Sequence, residues 1–118
     1  MTSRYLAELS SGDTSDVWEV GFVTSPPGVR PAVLAVLDGN FTCRIAVQGT
    51  ALVSPREVTV KNAAGTRFRA WLTPAETRAL GPGDWVVGIE LSNPALSPPL
   101  VKEVQRGLRI FAEAVPPA

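Results

Sequence analysis

The sequence predicts an all-β fold: two packed antiparallel sheets forming a β-sandwich of about seven short strands, with one short crossover helix at residues 74–80. Three observations carry this. Apolar and polar residues alternate with period two in run after run, the pattern of half-buried strands. Eleven prolines and ten glycines cut the 118-residue chain into short pieces. Only one segment carries both a helix start and a helix stop signal.

Taken in order, residues 5–9 offer a weak first strand. Within 16–23, Trp18, Val20 and Phe22 share one face. Residues 32–37 are too uniformly apolar for a face to be assigned. In 41–48, Phe41, Cys43, Ile45 and Val47 point one way, against Thr42, Arg44 and Gln48. Val58 and Val60 alternate with Glu57, Thr59 and Lys61. Phe68, Ala70 and Leu72 alternate with Arg67, Arg69 and Trp71. Trp85, Val87, Ile89 and Leu91 form another inward set, and Leu108 and Ile110 a last one. Turn chemistry separates the runs: Ser25-Pro26-Pro27-Gly28, Asp38-Gly39-Asn40, a hairpin at Ala64-Gly65-Thr66, and an irregular loop over 93–99 with three prolines. Thr73-Pro74-Ala75-Glu76 is a capping box with proline at the first helical position. Gly81 can adopt the positive φ that ends the helix, and Pro82 forbids its continuation. A helix of two turns is marginal alone, so it reads as a crossover between strands. The whole pattern fits an immunoglobulin-like antiparallel β-sandwich. One domain spans 1–118, with short flexible ends expected at about 1–4 and 115–118.

Charge and composition narrow the function. Eleven basic residues balance eleven acidic ones, which speaks against a nucleic-acid partner and against a polybasic membrane anchor. The longest apolar run, 32–37, is far too short to span a bilayer. Residues 1–13 show no apolar leader core, so synthesis in the cytoplasm is expected. Nine Arg and two Lys (Lys61, Lys102) make up the basic set. Arg is the cation favoured in protein interfaces, although a GC-rich genome produces the same bias.

No enzymatic constellation emerges. The chain has no His, which removes the commonest general base and metal ligand. Its single cysteine, Cys43, reads as a buried thiol, and one thiol cannot build a zinc site. The serines lack a base. Gly12–Asp16 carries carboxylates but reads as a turn, too poor in ligands for a calcium loop. No metal, cofactor or small-molecule substrate is expected. The candidate partner-binding residues are Arg67, Arg69 and Trp71: if Phe68, Ala70 and Leu72 face the core, these three face out, with the composition of an interface hot spot. The alternative places Trp71 under a loop or under the helix.

The run FRAWLTPAETRALGPGDWVVGIEL, residues 68–91, resembles a pattern of tailed-bacteriophage structural proteins: a strand, a short helix opened by Leu-Thr, a glycine turn and an aromatic strand. Residues 37–45 and Gly107-Leu108-Arg109-Ile110 are similar to other strands of the same domains. The resemblance, over roughly 12–115, is to the immunoglobulin-like domain at the N-terminus of phage baseplate upper proteins and related small virion proteins. It implies a virion building block with no catalytic residues, present in many copies and docked on capsid or tail subunits. The competing expectation is a carbohydrate-binding or host-adhesive β-sandwich, for which Trp71, Tyr5 and Phe111 are the aromatic candidates.

Overall fold

A computed structural model describes residues 7–113. The expected chain ends, 1–4 and 115–118, and the first two residues of the weak strand at 5–9 lie outside the described residues. Within them the chain is mostly β. Strands β1 (Ala7–Ser10), β2 (Trp18–Val20), β3 (Thr42–Val47), β4 (Arg56–Glu57) and β5 (Phe68–Ala70) precede helix α1 (Pro74–Leu80). Strands β6 (Gly83–Asn93) and β7 (Leu100–Phe111) follow it.

Five strands form a large sheet in the order β1-β7-β6-β3-β4, and β2 and β5 form a small one. The sheets are not wholly antiparallel as expected: β1 runs parallel to β7, with Ala7 opposite Leu108. The two sheets are joined by the extended segment after β4, which changes sides. Val58 N–H donates to Cys43 O in the large sheet, and two residues later Val60 O accepts from Arg69 N–H in the small one. That bend breaks the alternation. Val58 is buried while Val60 is 42% exposed, so Val60 is not the inward residue the period suggested.

The core between the sheets is built by the alternating sets: Trp18 and Val20 from β2, Cys43, Ile45 and Val47 from β3, Phe68 and Ala70 from β5, and Val87, Ile89 and Leu91 from β6. Each fully buried aliphatic side chain contributes about 1.5–3 kcal/mol of transfer free energy. Phe22 and Trp85, expected inside, are half-buried at the rim; Trp85 keeps its indole N–H satisfied by Gly81 O at 3.1 Å. Residues 32–37 form no strand of the core. They fold back on 22–24 through Thr24 N–H to Val33 O (2.8 Å) and Ala35 N–H to Phe22 O (2.9 Å), leaving Val33 and Val36 exposed.

Helix α1 spans the expected residues. Thr73 Oγ1 accepts from Glu76 N–H and the Glu76 carboxylate accepts from Thr73 N–H, while Gly81, at φ 76°, closes the other end. Leu80 and Thr77 face inward. Thr77 Oγ1 donates to Asp13 O (2.7 Å) and accepts from Gly12 N–H (3.2 Å), pinning the 11–15 turn against the helix.

Candidate docking face

The small sheet turns one face to the core and the other to solvent. Because Trp18 and Val20 point in, Val17, Glu19, Gly21 and Val23 point out. Because Phe68, Ala70 and Leu72 are 3%, 1% and 0% exposed, Arg67, Arg69 and Trp71 point out beside them. Arg67 and Arg69 are exposed and Trp71 is half-buried. The register fixes the central neighbours, with Glu19 opposite Arg69; beyond Trp18 it slips by one residue, since Ser15 N–H bonds to Leu72 O, and Asp16 and Val17 both stand opposite Trp71. A Cβ on Gly21 would stand 3.2 Å from Arg67 Cγ, 3.4 Å from Leu34 Cδ2 and 2.6 Å from Thr66 O. Glycine is therefore required at that position by close approach. Arg67 and Leu34 crowd the gap it leaves.

The strip continues onto the folded-back segment. Val23 is bridged to Leu34. Ala35 and Leu37 pack on or within the core, so Leu34 and Val36 point out. Val17, Val23 and Val36 are 41%, 48% and 69% exposed. The face thus reads Val17/Trp71, Glu19/Arg69, Gly21/Arg67, Val23/Leu34 along its length. Arg69 Nε and Glu19 Oε2 are 3.6 Å apart, an open ion pair of little stabilising value to the monomer.

Its Trp71 end is held rigidly. Arg56 donates from Nε and Nη2 to the Glu76 carboxylate at 3.0 and 2.8 Å, and from Nη2 to Trp71 O. Leu72 N–H donates to Ser15 Oγ at 2.8 Å, and Leu72 O accepts from Ser15 N–H at 3.1 Å. Burial by itself would raise the Glu76 pKa, but the hydrogen bonds from Arg56 and Thr73 outweigh it and the carboxyl titrates below its ordinary value. The same bonds raise Arg56. Sequence reasoning singled out Arg67, Arg69 and Trp71 but missed Val17, Val23, Leu34 and Val36. The first two were legible as the outward parity of the Trp18–Val20 strand; the other two depend on a long-range fold-back.

Other chemistry finds little footing. Among the described residues no three His, Cys, Asp or Glu side chains are grouped to hold a metal ion. The Asp13 carboxylate accepts from Ser10 N–H at 3.0 Å, as in a turn. Cys43 is fully buried, and desolvation, with the Glu90 charge second, pushes its pKa up to about 11, far from a reactive thiolate. A shallow cleft of about 410 Å³ between Phe22 and residues 96–101 has no ionisable lining. No protein-family model matches the chain, and no curated protein or solved structure does either.

Proposed function

We propose that this chain is a non-enzymatic structural subunit of a phage or phage-like particle, of head, neck, tail or baseplate, that docks onto other virion proteins in multiple copies. The observation that carries the reading is the outer face of the small sheet. There Trp71, Val17, Val23, Leu34 and Val36 stand beside Arg67 and Arg69 on a braced strand. Trp and Arg are the residues that concentrate binding energy in interfaces, and rigid placement lowers the entropy cost of association. Apolar side chains gathered beside them mark a contact surface more than a solvent surface. The resemblance of residues 68–91 to phage structural domains supports the class. It supports equally the finer fold reading, an immunoglobulin-like sandwich with α1 crossing from the small sheet to the large one.

Trp71→Ala combined with Arg69→Ala tests the proposal. Trp71 is half-buried, so stability is expected to fall by about 1–2 kcal/mol, while incorporation into particles from producing cells falls sharply. A loss of several kcal/mol with normal incorporation of the remaining folded protein would make Trp71 a core residue and sink the proposal. Genes for capsid, portal or tail proteins beside this one are the expected neighbourhood. Selective binding on a glycan array would favour the carbohydrate-binding alternative.

A further inference from the structure

We infer that the outer face of the small sheet is self-complementary and that its partner is a second copy of this chain, packed face to face about a two-fold axis. The inference rests on the docking reading above and adds the identity of the partner. Its basis is the cross-strand pattern. Each level of the face pairs unlike residues: Val17 beside Trp71, Glu19 beside Arg69, Gly21 beside Arg67, Val23 beside Leu34.

A two-fold axis parallel to the strands, lying between β2 and β5, places β2 of one copy over β5 of the other at the same level. Every residue then meets the counterpart of its own neighbour. Trp71 lies over the smaller Val17, while the strip at Gly21 is already filled by Arg67 and Leu34 of its own chain. Arg69 lies over the partner's Glu19, and Val23 over the partner's Leu34. Large meets small, cation meets anion and apolar meets apolar, twice over, as an isologous contact demands. The other two-fold in this plane, perpendicular to the strands, sets Glu19 over Glu19 and Arg69 over Arg69, and like charges face to face exclude it. Glu19 and Arg69, only 3.6 Å apart and each more than 40% exposed, are open to a second partner. Aligned packing of two sheets is the ordinary geometry for such a face.

The face is small beside the roughly 800 Å² per partner of a standard interface, so a dimer in the micromolar range is expected. Many weak contacts suffice in a multi-copy assembly.

Sedimentation velocity over about 1 µM to about 1 mM protein is the measurement. The native chain is expected to pass from monomer to dimer and no further. Glu19→Arg puts cation over cation and is expected to weaken the dimer roughly tenfold or more. Glu19→Arg with Arg69→Glu restores opposite charge at both symmetry-related contacts and is expected to recover the dimer. Val23→Asp, which sets a carboxylate over Leu34, is expected to weaken it independently. Thermal midpoints close to native confirm that each variant is folded. A native monomer throughout, assembly beyond the dimer, or a dimer indifferent to Glu19→Arg and Val23→Asp overturns the inference. If the native chain stays monomeric while Trp71→Ala/Arg69→Ala still blocks particle incorporation, the docking reading stands and the second copy is not its partner.

Discussion

Glu76→Gln takes one negative charge out of the clamp behind Trp71 without changing its shape. The native carboxylate accepts from Arg56 Nε at 3.0 Å, from Arg56 Nη2 at 2.8 Å and from Thr73 N–H at 2.9 Å. A glutamine keeps an acceptor for Thr73 and loses the ionic part of the Arg56 contact. The Arg56 side chain is 38% exposed and that of Glu76 17%, so water screens part of the pair. The expected loss at neutral pH is then about 1 kcal/mol, the upper end for exposed pairs. In a chain of this size that lowers the thermal midpoint by roughly 3–6 °C. The pH dependence has a definite sign. A carboxyl whose pKa is lowered by folding stabilises the native state fully above its ordinary value of 4.5, and that stability is lost as pH falls through the lowered value. Native and Glu76→Gln proteins are therefore expected to differ near pH 7 and to converge as pH falls through the lowered Glu76 value. Thermal unfolding followed by circular dichroism at several pH values reads this directly. An equal gap at both extremes, or no gap at neutral pH, would refute the assignment of that stability to the Glu76 charge.

Three further outcomes are expected. Thr73→Ala should cost about 0.5–2 kcal/mol in denaturant unfolding and Thr73→Ser almost nothing; an alanine variant as stable as the native chain would remove the capping box from the account. Gly21→Ala brings a Cβ to within 2.6 Å of Thr66 O, and the forced shift should cost about 1–3 kcal/mol; a neutral effect would show that the 62–67 hairpin gives way freely. Cys43, with its thiol pKa near 11, should resist thiol reagents at neutral pH until the protein unfolds; rapid modification of the native chain would contradict its burial.

Local chemistry carried α1, because Thr73, Glu76, Pro74 and Gly81 act within one helix of seven residues. Period two carried the inward faces of β3, of β5 and of β6 from Val87 onward, because each is buried on one side there. It failed for β7. In the first half of β7 the pairing sets Lys102 opposite Leu91 and Arg106 opposite Val87, so polar residues share a face with the core set. Lys102 reaches across only to Gly21 O, at 3.4 Å. Val60 misled for a related reason, since it follows the bend between sheets. The parallel edge strand β1 depends on contacts a hundred residues distant, which no local pattern encodes. In the candidate face, Arg67, Arg69 and Trp71 were legible from the alternation of one strand. Leu34 and Val36 were not, because their outward placement arises from the fold-back onto 22–24, and neither was the Arg56 clamp, which joins β4 to α1.

Hydroxyl-radical footprinting of the chain, free at high dilution and again in its assembled state, tests most directly whether the outer face of the small sheet is the docking surface. Protection on assembly is expected at Val17, Val23, Leu34, Val36 and Trp71, with Leu52 and Phe111, exposed elsewhere at 58% and 48%, labelled equally in both states. Protection at Leu52 or Phe111 with Trp71 unchanged would contradict it.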